Sequence, residues 1–347
     1  MNDVVSASAP GRVNLIGEHT DYNGGMVLPA ALNIGLEVSL IPRSDSAVAV
    51  SSDGYDAPAI RDVADDAVGG WSDPCVGAIR EANRLGLLDA GVTLDLVSSI
   101  PAGSGLSSSA ALIVAILKAA RTYAGADLTD IDIAIAARRV ENDYMGVPCG
   151  IMDQMTVALA SPGSAMALDT KRMEYALIPL PASHDMVVLH SGITRKLTDG
   201  RYAARKQECD AAKRFFGTED LCLIEEETVR GSDLADVPKR RALHCVSENA
   251  RVHSAIAALD AGDIGEFGAV MNESHASMRD LFEMSLPAID ALVNDAVQIG
   301  AVGARLTGGG FGGCIVACIA KEEREGWLGE VLSRHPDARF IDAVSGA

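Results

Sequence analysis

VTLDLVSSIP (92–101) runs without a break into AGSGLSSSAALIVAILKAARTYAG, and this passage narrows most what the chain can fold into. Alternating apolar residues read as a strand, and two glycines with a run of serines follow. Ala110 to Tyr123 is then a strongly helical run ending at Gly125. A strand feeding a Gly/Ser loop that opens a helix is an anion-binding arrangement. The glycines let backbone N–H groups approach a ligand, and the helix N-terminus adds partial positive charge. Ser107 or Ser108 is placed to cap the helix, and three serine hydroxyls supply further donors. No Gly-Lys-Ser/Thr follows at Walker A spacing, so this is not a P-loop. Taken alone, the segment also reads as a glycine-rich turn capped by serines.

Three other segments carry groups suited to chemistry. APGRVNLIGEHTDYNGG (9–25) gathers Arg12, Asn14, Glu18, His19, Asp21 and Asn23 in one short loop between two expected strands. Carboxylate, imidazole and amide groups at this spacing suit the vicinal hydroxyls of a sugar, and a site built to bond hydroxyls rejects analogues by ~10⁴-fold. A metal site and a structural turn compete with that reading. Glu141 falls late in a helix expected over 127–146, and Asp153 just past the turn PCGI. Beside a phosphate loop, one would hold a metal ion and the other would sit at the nucleophilic hydroxyl. RLTGGGFGGC (305–314) offers either a flexible hairpin or a second backbone surface against phosphates.

The balance of charge bounds the partners. Among 347 residues, 29 are basic and 48 acidic, a formal charge of −19. That argues against nucleic acid and anionic membranes as partners, so phosphate chemistry must be local to a pocket. The N-terminus lacks the basic and apolar regions of a signal peptide, and no run approaches a membrane span. Seven cysteines form no C-x-x-C, which points to a reducing cytoplasm. Aspartate outnumbers glutamate 30 to 18 and arginine outnumbers lysine 22 to 7, read either as halophilic adaptation or as genomic composition. Strands are expected at 36–43, 47–52 and 185–189, and helices at 201–216, 239–260 and 264–282. Residues 53–73 are expected as a surface loop. The length suggests two domains, with the boundary near 165–180.

In combination and in this order, these segments resemble the GHMP family of small-molecule kinases, and within it the galactokinase branch. GRVNLIGEHTDYNGG is similar to that branch's signature, PAGSGLSSSAA to the family's second motif, and RLTGGGFGGC to its third. VPCGIMDQ (147–154), RYAARKQEC (201–209) and ESHASMRDLFEMSLPAID (273–290) resemble further galactokinase segments. The resemblance implies a two-domain α+β GHMP kinase fold divided at 1–170 and 171–347. The N-terminal domain would be like domain 2 of ribosomal protein S5, and the C-terminal domain ferredoxin-like. It implies galactose and ATP as substrates, with Mg²⁺ and a slight preference for a monomer. Another sugar 1-kinase, such as one acting on N-acetylgalactosamine, and a non-catalytic sugar sensor are the alternatives.

Carried residue by residue, the resemblance assigns Glu18, His19, Asp21, Gly150, Asp153 and Tyr202 to the sugar. Asp153 falls next to the phosphorylated hydroxyl and Arg12 near the transferring group. ATP falls to Trp71, Gly103, Ser104, Gly105, Leu106, Ser107, Ser108 and Ser109, and the metal to Ser109 and Glu141. Pro74 stands where many relatives carry tyrosine, which removes part of the surface expected to stack on adenine.

Overall fold

The computed structural model describes residues 4–194 and 200–346. Strand β1 (Val5–Asn14) is followed by β2 (Met26–Val27), β3 (Pro29–Pro42), β4 (Ala47–Ser52) and β5 (Ala59–Asp62). Helix α1 (Asp73–Arg84) precedes β6 (Val92–Ser98). Then come α2 (Ser108–Ala124), α3 (Asp130–Arg139), a π-helical turn (Val140–Tyr144) and α4 (Met152–Leu159). Strands β7 (Ser164–Asp169), β8 (Glu174–Pro179) and β9 (His184–His190) lead to α5 (Arg201–Phe216), α6 (Glu226–Gly231), α7 (Asp236–Ala261), α8 (Ile264–Asp280) and α9 (Pro287–Ile299). Strands β10 (Gly303–Thr307) and β11 (Cys314–Ala320), helix α10 (Arg324–Arg334) and strand β12 (Arg339–Val344) follow.

Contacts group the chain into two units. The first holds residues up to Arg12, Ile34–Ala102 and Ser107–Leu159. The second holds Val13–Asn33, Gly103–Leu106 and everything from Ala160 on. In the first unit β3 pairs antiparallel with β6, from Leu36 opposite Ser98 to Pro42 opposite Val92. β4 lies parallel to β6 and carries β5 on its other side. Val38, Leu40, Val48 and Leu94 from these strands and Ile79, Ile113 and Ile116 from α1 and α2 are fully buried. Each such side chain contributes about 1.5–3 kcal/mol by leaving water. Because α2 is buried along most of Ala110–Ala120, its N-terminal turn is held rigidly by the core.

Two sequence expectations change here. The single helix expected over 127–146 is α3, opened by a Thr129–Asp132 capping box, and then a π-helical turn over Val140–Tyr144. The apolar spacing continues through both, so periodicity alone does not separate them. The loop expected over 53–73 contains β5, a four-residue edge strand paired with β4.

The second unit is built on an antiparallel sheet in the order β10-β11-β9-β12. The two central strands are buried along almost their whole length, which their near-continuous apolar runs require. Val187, Leu189, Ile315 and Ala317 pack in one cluster with Phe282, Ile289, Leu292 and Trp327. The 26-residue α7 packs on α8 and α5. Among the described residues no helix is long and apolar enough to cross a membrane.

Candidate active site

In the first unit, the most constrained of the predicted groups is Asp153, in the first turn of α4. Arg12, nearly buried near the end of β1, grips it with a two-pronged fork: Nε reaches Oδ1 at 2.7 Å and Nη2 reaches Oδ2 at 2.7 Å. Ser107 Oγ donates to Oδ2 at 2.6 Å. Ser107 holds the N-cap position of α2 in the left-handed conformation, φ +63°, and its hydroxyl does not cap the helix. The expected cap is therefore corrected: the hydroxyl is drawn to the carboxylate instead. Gly150, three residues before Asp153, is buried in the turn leading to α4.

Glu141 sits in the π-helical turn, a local widening that recurs at functional sites. Its carboxylate is buried and accepts from Gln154 Nε2, with Cys149 Sγ 3.6 Å away. Burial pushes its pKa up, Asp153 adds to that, and Ser109, Gln154 and Cys149 pull it back. Ser109 Oγ is close enough to influence Glu141, yet it is buried with no well-formed hydrogen bond. A carboxylate and an unsatisfied hydroxyl, both oxygen donors, suit a hard cation such as Mg²⁺, which takes few protein ligands and completes its shell with water and phosphate.

Trp71 stacks on Tyr55, from the turn between β4 and β5, with ring centroids 4.1 Å apart and planes 12° from parallel. An aromatic partner for Trp71 is thus present although Pro74 supplies none. No hydrogen bond or ring contact among the described residues joins Trp71 to the Arg12–Asp153 pair.

The second unit contains the loop after β1. Glu18, 2% exposed, accepts from the backbone N–H of Gly308 at 2.6 Å and from Asn14 Nδ2. Arg305 Nη2 lies 3.6 Å from the same carboxylate. His19 is left-handed, φ +62°, its Nδ1 2.6 Å from the Tyr22 hydroxyl, and its ring is flanked by Phe282 at 4.4 Å and Tyr202 at 5.2 Å. Asp21 is half-buried beside Tyr22. Thr20 Oγ1 ties the loop to the carbonyls of Gly17 and Met26. Gly17 has φ +99°, and a Cβ there would stand 2.8 Å from Met26 O, so the loop closes only around glycine.

Gly103, Ser104, Gly105 and Leu106 also belong to the second unit, and Ser108 and Ser109 begin α2 in the first. Ser104 O accepts from Cys314 Sγ at 3.3 Å, which joins the serine loop to the end of the third glycine-rich segment. In that segment Phe311 is left-handed at φ +61°. His19, Ser107 and Phe311, three of the five non-glycine residues with positive φ among the described residues, thus fall one in each motif. Such conformations persist where surrounding structure over-determines them.

Sequence reasoning missed the groups that hold the loop after β1 from outside it: His244 and Glu248 on α7, Ser274 and Ser277 on α8, and Arg305. The only local signal was His244 and Glu248 four apart on one helix face.

Both halves of the chain match models of one class of enzyme. Residues 74–161 match the GHMP kinases N-terminal domain and residues 255–334 the GHMP kinases C-terminal domain. The Methanococcus jannaschii mevalonate kinase structure superposes with TM-score 0.74 over 100% of this chain and 99% of its own, at 18% identity, a likeness of fold alone. The fold and its three glycine-rich motifs are those of a GHMP small-molecule kinase. Within that class, residues 2–40 match the galactokinase galactose-binding signature. A Roseiflexus galactokinase is 39% identical over 96% of this chain and 88% of its own length. The Lactococcus lactis galactokinase complexed with galactose superposes with TM-score 0.94 at 31% identity, over 99% of this chain and 94% of its own. The chain belongs to the galactokinase family.

Proposed function

We propose that the chain transfers the terminal phosphoryl group of ATP to the anomeric hydroxyl of D-galactose, giving α-D-galactose 1-phosphate. The observation that carries this is the fork of Arg12 on Asp153, tied to Ser107 of the serine loop, in a chain whose first forty residues match the galactose-binding signature.

The roles follow from the chemistry of each group. Glu18, His19, Asp21 and Tyr202 bind the sugar, Glu18 and Asp21 as acceptors from its hydroxyls and Tyr202 as a flat apolar face. Gly150 leaves room beside Asp153. A carboxylate has about four lone-pair positions, and Arg12 and Ser107 use three on Asp153. The fourth remains to accept from the hydroxyl that is phosphorylated. Phosphoryl transfer runs through a loose transition state in which positioning and charge stabilisation carry most of the rate. Asp153 therefore orients the hydroxyl and takes its proton late, while Arg12 offsets charge on the group in transit. Gly103, Ser104, Gly105, Leu106, Ser107 and Ser108 offer backbone and hydroxyl donors to the phosphates, and Trp71 a ring to the base. Ser109 and Glu141 would hold Mg²⁺, which when bound neutralises charge on the phosphates. We keep the sequence-contiguous division at 170/171, a cytoplasmic location and a monomer as parts of this reading.

An ADP-release assay over a panel of hexoses tests the activity. Galactose should stand well above glucose, mannose and N-acetylgalactosamine. Sugar-independent ADP release, or a panel with no preferred hexose, would overturn the assignment.

A further inference from the structure

We infer that His244 and Glu248, one turn apart on α7, are positioning residues for galactose recognition, gripping the backbone of Glu18 from both sides. The inference rests on the reading of Glu18 as a sugar ligand and deepens it. Glu248 Oε1 accepts from the N–H of Gly17 at 3.0 Å and of Glu18 at 3.4 Å. His244 Nε2 lies 3.1 Å from the carbonyl oxygen of Glu18. A carbonyl oxygen only accepts, so Nε2 carries the proton. The imidazole is fully buried, and that burial drives its pKa down to about 4, so it is neutral. Nδ1 must then be the acceptor, and Ser277 Oγ, 2.8 Å away, donates to it and fixes the tautomer.

Glu248 is held as firmly. Ser274 Oγ donates to it at 2.6 Å and Arg251 Nε at 2.8 Å. Arg305 Nη2 is 3.7 Å from Glu248 and 3.6 Å from Glu18, so one buried guanidinium serves both carboxylates. A helix face that only needed covering would carry apolar residues there. Burying an ionised carboxylate and an imidazole side by side is unfavourable unless both are fully bonded. What the pair supplies in return is the hydrogen bonding of two amides and one carbonyl in a loop that has no strand partner at that point. The peptide that aims the Glu18 carboxylate is thereby fixed. Both residues act through Glu18.

The test is steady-state kinetics and galactose titration calorimetry on the full chain, with melting temperature as control, for E248Q, H244L, H244Q and S277A. Loss of hydrogen bonds to charged or fully buried groups should raise the galactose KM and Kd at least about tenfold in E248Q and H244L, while the ATP KM stays within about twofold. Glutamine at 244 can still donate from Nε2, so H244Q should recover most of the loss. S277A removes only the group that fixes the tautomer and should weaken galactose about threefold. Should H244L fail to fold, E248Q and S277A read the same split. Galactose binding unchanged in folded E248Q, no rescue by H244Q, or galactose and ATP constants rising together with a falling melting temperature would each overturn the inference. A wild-type chain that binds galactose without phosphorylating it would overturn the proposed activity instead, and calorimetry would still read the grip on Glu18.

Discussion

Asp153 accepts from three donors at once, and this limits what it can do as a base. Asparagine at 153 keeps the shape but turns an N–H₂ toward the Arg12 fork, so D153N loses both the proton acceptor and the ion pair. We expect kcat to fall at least ~10²-fold in D153N and comparably in R12A, with ATP affinity little changed. Because the two side chains act as one assembly, the double variant R12A/D153A should fall little below the worse single variant. Multiplying losses in the ADP-release assay would mean the fork is not a functional unit. The same scale governs sugar choice. Galactose and glucose differ by one hydroxyl, and turning it leaves a buried polar group unpaired, so kcat/KM should favour galactose by about 10²-fold or more. Comparable kcat/KM values would remove Glu18 and Asp21 from the sugar.

Among the elements, the π-helical turn over Val140–Tyr144 has the clearest consequence. It delivers Glu141 to Ser109 and Gln154, where a regular helix would give residue 141 a different direction. If Glu141 holds Mg²⁺, E141Q should raise the Mg²⁺ needed for half-maximal rate about tenfold and lower kcat, with galactose affinity nearly intact. An unchanged Mg²⁺ titration would leave Glu141 a structural carboxylate. The sequence made the helix legible through its capping box and apolar spacing. It did not reveal the π turn, because one extra residue per turn barely disturbs that spacing over five residues. Helix α2 was legible at both ends, since Gly125 closes it and the serines open it. The direction of the Ser107 hydroxyl was not, because an N-cap serine and a serine drawn to a distant aspartate read alike.

At the scale of the molecule, buried ionisable groups couple stability to pH. Burial lowers His244 to about 4 and His275 likewise to about 4, from an ordinary 6.5. Histidines that titrate lower when folded contribute stability that is complete above 6.5 and is lost as pH falls toward 4. Burial also pushes Glu248 up, but Arg251 and Arg305 outweigh it and hold the group at about 2, so its contribution fades only below about 4.5. The melting temperature should therefore be flat above pH ~7 and fall from there to pH ~4, with His244 alone accounting for roughly 3 kcal/mol at most. H244Q should flatten part of that slope, and a wild-type melting temperature constant down to pH ~4.5 would contradict the assignment. The charge of −19 acts over the whole surface. If it is a halophilic adaptation, molar KCl should raise both melting temperature and activity by screening like charges. A decline with salt would favour composition alone.

The sequence by itself determined the fold class and the three motifs, because these are local. Alternation marks strands, serines and glycines mark the loop and the helix start, and the loop after β1 packs its polar groups within a dozen residues. Tertiary structure alone decided which of those groups meet and what holds them. Arg12 and Asp153 stand 141 positions apart, and Glu248 reaches the amide of Gly17 across 231. No periodicity records such a pairing. A glutamate or histidine on a helix reads as a solvated face until neighbouring elements take its water away, and only then must it find a partner. Tyr55 on Trp71 is a similar case, since nothing in an acidic loop of low pattern announces that its two aromatic rings will stack.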